Sequence, residues 1–190
     1  MSISLRKGGR VNLSKEAPSL DKMTVGLGWD ANQSDTGSAF DLDASIFLVG
    51  ANGKTISDGD FVFYNNLKST DGSVEHLGDS LTGEGDGDDE KVNVTLSKVN
   101  PDIQEIIFVV TIHEAEVRRQ NFGQVSNAFI RIVDDMTGKE ITKYDLDEDY
   151  SNETAIEFGK LYRRDGTWRF QAVGSGFNAG LQGFVDKYMG

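Results

Sequence analysis

Residues 78–90 read GDSLTGEGDGDDE, the stretch of this chain with the most obvious chemistry. Six of these thirteen residues are carboxylates, Asp79, Glu84, Asp86, Asp88, Asp89 and Glu90, and four are glycines. Across residues 71–90 there are eight acids and no Lys or Arg, so this window alone carries −8 of the chain's formal −12. Crowding like charges on a folded loop is unfavourable without a counter-charge. Interleaved glycines let the backbone turn tightly and bring several oxygens to one point. The chemistry these residues suit is the binding of a hard divalent cation, with calcium as the expected ion.

A second pair of acids, Asp41 and Asp43, flanks Leu42. On an extended strand residues two apart face the same way, so both carboxylates point to one side and Leu42 to the core. The same alternation would align residues 86, 88 and 90 if they are extended. Together the two sets offer more than the about six to eight oxygens, at about 2.3–2.6 Å, that calcium takes. A pair of neighbouring ions is therefore expected. Carboxylates and carbonyls are hard ligands, which makes zinc and copper poor matches. Asp30 and Asn65-Asn66 end predicted strands and are further candidate oxygen donors; the two asparagines serve equally well as turn formers. The loop is not an EF-hand, because counting from Asp86 the sixth position is Lys91 rather than glycine and Glu90 arrives far too early. The later acidic run from Asp145 to Asp149 reads as charge placed before a helix start.

Other chemistries find little support. Gly26-Leu-Gly-Trp-Asp-Ala31 matches a dinucleotide fingerprint, but residues 32–43 carry no helical stripe. Gly53-Lys54-Thr55 resembles the end of a P-loop, yet the glycine needed five residues earlier is Leu48. There is no Cys and no G-x-S-x-G. Of the two histidines, His76 sits beside the acidic loop and His113 precedes Glu114 at the end of an apolar strand. A strand-end histidine bonded locally accounts for His113 better than a catalytic pair does. Arg118-Arg119 and Arg163-Arg164 read as surface salt-bridging doublets. No catalytic constellation is found, and the expectation is a protein that is not an enzyme.

The elements that must position these residues are mostly strands. Short β-rich runs recur at Ile3–Leu5, Val11–Leu13, Met23–Trp29, Ile46–Val49, Phe61–Tyr64, Val92–Leu96, Glu105–Thr111, Phe129–Val133, Glu140–Tyr144 and Trp168–Val173. Gly8-Gly9 predicts an opening hairpin, Asn52-Gly53 a type I′ hairpin and Thr137-Gly138-Lys139 another. Residues 152–163 place Ala155, Ile156, Phe158, Leu161 and Tyr162 at helical spacing, and 180–188 carry a second stripe. The fold class expected is mainly β, a two-sheet antiparallel sandwich with a few short helices and calcium-bound acidic loops, formed by one domain over residues 1–190.

Composition sets the remaining bounds. The chain is 37% hydrophobic and 26% charged, with two prolines and no cysteines, so disulfides and thiolate metal sites are excluded. The longest apolar run, Ile106–Val110, is far too short to span a bilayer as a helix. The N-terminal residues have no apolar core of a secretory signal. The acidic balance argues against general nucleic-acid binding, and contact with an anionic membrane would need calcium as a bridge.

Several runs carry a family resemblance: Val25-Gly-Leu-Gly-Trp-Asp30, Phe40-Asp-Leu-Asp-Ala-Ser45, Asp60-Phe-Val-Phe-Tyr-Asn-Asn66, Gly78-Asp79 with Gly83–Glu90, Phe108-Val-Val-Thr-Ile-His113, Phe122-Gly-Gln-Val125, Ala128-Phe-Ile-Arg131 and Tyr144-Asp-Leu146. In order and spacing, nearly along the whole chain, they resemble the TerD family of tellurium-resistance and general-stress proteins. That resemblance implies a calcium-binding β-sandwich of the bacterial cytoplasm, linked to tellurite, phage and colicin resistance. It maps the family's metal motifs onto Asp41 and Asp43 and onto Asp79 through Glu90. Tellurium is soft and reacts with thiols, which this chain lacks, so no direct tellurite chemistry is expected. The function expected is a calcium-dependent binding or scaffold module whose partners are other proteins, related stress proteins or a membrane-associated complex. The alternative is a metal-dependent hydrolase of phosphoesters or nucleotides.

Overall fold

The computed structural model describes residues 2–31, 42–78, 88–146, 150, 152–178 and 180–190. In chain order the elements are β1 (Ile3–Leu5), β2 (Arg10–Asn12), α1 (Leu13–Glu16), β3 (Lys22–Ala31), β4 (Leu42–Gly50), β5 (Phe61–Val62), β6 (Val74–His76), β7 (Glu90–Thr95), β8 (Ile103–Ile112), α2 (Ala115–Arg118), β9 (Val125–Asp134), β10 (Glu140–Asp145), β11 (Ala155–Arg164), β12 (Thr167–Phe177) and α3 (Leu181–Met189). They form two six-stranded sheets, one ordered β1-β10-β9-β3-β7-β6 and the other β2-β12-β11-β8-β4-β5.

Alternation drives the packing. In β3 Met23, Val25, Leu27 and Trp29 face inward, and in β8 Ile106, Phe108, Val110 and Ile112 do the same. These meet in one core between the sheets. A second cluster lies on the outer face of the second sheet. There Phe47, Val49, Phe61, Ile107, Val109 and Ala155 are covered by Phe184 and Tyr188 of α3. The stripe expected over 180–188 is this helix, and its apolar side is used to cover half a sheet face.

The mainly β class holds, with corrections. Neighbouring strands pair antiparallel except β1, which runs parallel to β10. β1 and β2 do not form the expected opening hairpin: β1 joins the first sheet, and β2 pairs with β12 in the second. The Asn52-Gly53 turn exists, but only Gly53 has positive φ (76°), so it is not type I′. Residues 155–164 are a strand, not a helix. The register of β11 shifts between Glu157 and Gly159 on both neighbours, so its inward residues run Ile156, Phe158, then Leu161. One bulge converts a spacing of two into three and imitates a helical stripe. β11 turns into β12 at Asp165-Gly166, both with positive φ (52° and 73°), the geometry of a two-residue type I′ hairpin.

Candidate functional site

One end of the sandwich gathers the described candidate acids. β3 ends there, β4 and β7 begin there, and contacts tie the three together. The Asp89 amide donates to Leu27 O (2.8 Å) and the Trp29 amide donates to Asp89 Oδ2 (2.8 Å). The Ala44 amide donates to Glu90 Oε2 (2.6 Å), a bond from one sheet to the other. Asp41, Asp79, Glu84 and Asp86 lie outside the described residues.

The described acids do not share one direction. Glu90 opens β7 opposite Leu27 and faces inward, 1% exposed. It takes the Ala44 N–H beyond the reach of β5, the described strand on that side of β4, so there a carboxylate accepts a strand amide. The buried His76 ring accepts the Gly78 N–H at Nδ1 (2.9 Å) and turns Nε2 toward Glu90 Oε2 at 3.8 Å. Nδ1 must be unprotonated to accept, so the imidazole proton sits on Nε2. Asp88 precedes the strand and folds the opposite way, over Gly26 on the outer face. A Cβ at Gly26 would lie 2.4 Å from its Cγ, so the glycine of the false dinucleotide fingerprint makes room for this carboxylate. Asp43 shares the parity of Ser45, Phe47 and Val49 and lies on the outer side of the second sheet. The expected alignment of residues 88 and 90 on one face therefore fails, because the strand begins only at Glu90.

Asp88 already has a counter-charge. Arg131 of β9 grips it with two parallel bonds, Nε to Oδ1 and Nη2 to Oδ2, each 2.8 Å. These bonds, with burial acting against them, raise the pKa of the guanidinium, and Glu140 adds to the effect. Sequence reasoning missed this arginine as a site residue. Its signal was a lone cation inside the apolar alternation of Ala128-Phe-Ile-Arg131.

Asp89 and Asp30 are the pair brought together with charge left over. Burial raises the Asp89 pKa most, the Trp29 N–H works against it, and the charges of Asp30 and Asp88 push it up further. Asp30 is exposed and accepts from Asn127 Nδ2 (2.8 Å). Asn66 is a turn former: its Nδ2 donates to Phe61 O (2.7 Å), and its backbone pairs with Phe63. Asn65 is exposed at the same turn. Asp145 ends β10 3.4 Å from Lys143 Nζ, and the next described element is the strand β11 rather than the expected helix. His113 lies 3.8 Å from Glu114, half exposed. Among the described residues no group of three or more His, Asp or Glu is placed to hold a metal.

For calcium the described donors fit in chemistry, being hard oxygens, and in excess charge at Asp89 and Asp30. Asp88 and Glu90 fit less well, since Arg131 and the Ala44 amide already occupy them. No described helix is long and apolar enough to cross a membrane.

Comparison with known proteins places the chain. A family model described as the TerD domain matches residues 1–188. Tellurium resistance protein TerD of an Alcaligenes species is 60% identical over 99% of this chain and 97% of its own length. General stress protein 16U of Bacillus subtilis is 56% identical, again over 99% and 97%. A crystal structure of a Streptomyces coelicolor homologue of telluride resistance protein has the same fold, with a TM-score of 0.68 at 23% identity over 88% of this chain and 96% of that one.

Proposed function

This chain belongs to the TerD family of tellurium-resistance and general-stress proteins, and on that premise we propose that it is a calcium-dependent binding module of the cytoplasmic stress response. The observation that carries the reading is the surplus of negative charge where β3 meets the start of β7. Asp89 is held beside Asp30 and Asp88 in a partly buried setting that disfavours its own ionisation. A fold that keeps such carboxylates together is poised for a cation. Asp89 and Asp30 are the described residues that would hold it, with the remaining acids of residues 79–87 and Asp41 as further donors. The ion would supply counter-charge and order to the acid-rich segment.

The partner is read as another protein, a related stress protein or a membrane-associated complex. Support for a module over a hydrolase comes from the side chains nearest the acids. Both oxygens of Asp88 are taken by Arg131, Glu90 is buried against Ala44, and His76 Nδ1 is occupied by Gly78. None of these stands open as a general base.

Thermal melts in calcium, magnesium and chelator test the reading. At free calcium about 100 times the dissociation constant, one site adds about 2.7 kcal/mol, a rise of about 5–10 °C for a chain this long. Magnesium, which dehydrates reluctantly, should give less. An unchanged melting temperature in excess calcium would remove the ion from the proposal. Metal-dependent phosphoester turnover lost in Asp89→Ala would replace the module with an enzyme.

A further inference from the structure

The outer face of the second sheet is divided in two. α3 covers the half built by β4, β8 and the start of β11. The other half, formed by β2, β12 and the later part of β11, lies outside the cluster that α3 covers, and α1 meets β12 only near the Trp168 end. Register and alternation fix what it displays. Arg10, Gln171 and Lys160 form one outward row, and Asn12, Arg169 and Tyr162 form the next. The Arg10 guanidinium lies 6.0 Å from the Tyr162 ring centre and the Lys160 ammonium 5.9 Å. Lys160 pairs with Glu105 of β8, while no carboxylate among the described residues lies within 4.0 Å of Arg10 or Arg169.

This cation-rich face belongs to an acidic chain. Residues 1–15 and 160–178 hold eight of the 19 Lys and Arg but only one of the 31 acids, Asp165. Everything else in the sequence is correspondingly anionic. β11 runs from the acid-bearing end of the sandwich toward the cationic one, so the polarity is built along the strands.

We propose that this cationic half-face docks the acidic end of a second copy of the chain. The argument is charge complementarity: the chain itself carries the anionic surface that matches Arg10, Lys160 and Arg169. A membrane fits poorly, because the aliphatic side chain that β12 turns outward, Val173, stands beside polar and charged neighbours and gives no apolar patch to insert. Single-stranded nucleic acid fits poorly too, because such platforms stack bases on several aromatics and here Tyr162 stands alone against a net charge of −12. The two surfaces differ, so the contact is heterologous and extends into open chains rather than closing as a dimer. The cationic half-face lies apart from the proposed ion site and needs no calcium to dock, but the acidic end it would contact on the second copy contains that site, so the test is run in chelator.

Sedimentation velocity in chelator at graded concentration and salt tests it. At about 0.1 M salt the screening length is about 10 Å, which damps the net repulsion between copies while leaving contacting charges effective. There the mass should grow with concentration past that of a dimer, and at about 1 M salt, where screening falls to about 3 Å, it should return to monomer. The triple variant Arg10→Glu, Lys160→Glu, Arg169→Glu should be monomeric at both. Because it keeps its acidic end, it should also shorten wild-type chains when mixed in below equimolar amount. Arg10→Glu alone, at an exposed edge position, gives a milder loss in a fold that circular dichroism can verify. A wild type monomeric at every concentration, or a triple variant that assembles like wild type, would overturn the proposal. So would binding of an oligonucleotide or an anionic vesicle to this face by a protein that stays monomeric.

Discussion

The two ends of the acid-rich window, Asp71 and Asp89, lie at opposite ends of β7 and are treated oppositely by the fold. Burial alone would raise the pKa of Asp71. Hydrogen bonds from the Ser73 hydroxyl, the Asn100 and Ser73 amides and the Ser69 hydroxyl together outweigh it and leave the group lowered. Asp89 is also desolvated, but it receives one amide bond and faces Asp30 and Asp88, so its pKa is raised. The same residue type in one run of sequence is at one end a satisfied structural anion and at the other a charge the fold leaves uncompensated. Charge density in a sequence does not distinguish the two; the count of donors aimed at each carboxylate does.

Glu90 offers the strongest way to break this comparison, because it is an acid at the Asp89 end that behaves like Asp71. It is buried, it satisfies the Ala44 amide across the sheets and it faces His76. Glu90→Ala leaves a buried N–H without its acceptor and opens a cavity, so urea unfolding in chelator should show a loss of about 3–5 kcal/mol. Glu90→Gln retains an acceptor for Ala44 and should lose less. Equal midpoints for Glu90→Ala and wild type would mean that the intersheet bond has no structural weight.

Asp71→Ala comes next. It removes a carboxylate that accepts four bonds, with an expected cost of about 2 kcal/mol at neutral pH, or about 4–8 °C. The sign of its pH dependence is set by a lowered folded pKa. The stability is fully present above the unfolded value near about 3.9 and is lost as pH falls through the folded one. The melting gap between wild type and Asp71→Ala should therefore be constant from pH 7 down to about pH 5 and shrink below it. A gap that widens on acidification would contradict the hydrogen-bonded anion.

Much of the fold is legible in the sequence, and the failures have physical causes. The core strands β3 and β9 can be read because apolar and polar residues alternate along them, and β4 and β8 because they are nearly continuous apolar runs buried on both faces. β11 cannot, because its bulge between Glu157 and Gly159 changes the period partway along the strand. The Asp165-Gly166 pair is a strong short-range signal for the β11–β12 hairpin, but the apparent helix beside it masks it. The pairing of β1 with β10 joins residues 139 positions apart, which no local pattern reports. At the candidate site a shared face for 88 and 90 requires extended chain through 88, whereas Asp88 folds over Gly26 to reach Arg131. A partner from a distant strand decides which acids of a run remain available.

The smallest effect sharpens the comparison most. If Asp89 is an uncompensated charge, Asp89→Asn removes a disfavoured ionisation, keeps an oxygen for the Trp29 amide and relieves Asp30 and Asp88. In chelator it should be neutral to stabilising, by about 1–2 °C in a chain of this length, where Asp71→Ala is destabilising. The gain is small because Asp89 is only partly buried and water screens much of the repulsion. In calcium the order should invert: wild type gains from the ion, and Asp89→Asn, short of one charged donor, gains less. The two melting temperatures should therefore cross between chelator and calcium. A loss of stability for Asp89→Asn in chelator would make the Trp29 bond dominant and Asp89 a second Asp71. A parallel rise of both proteins in calcium would leave Asp89 as crowded charge with no part in holding the ion.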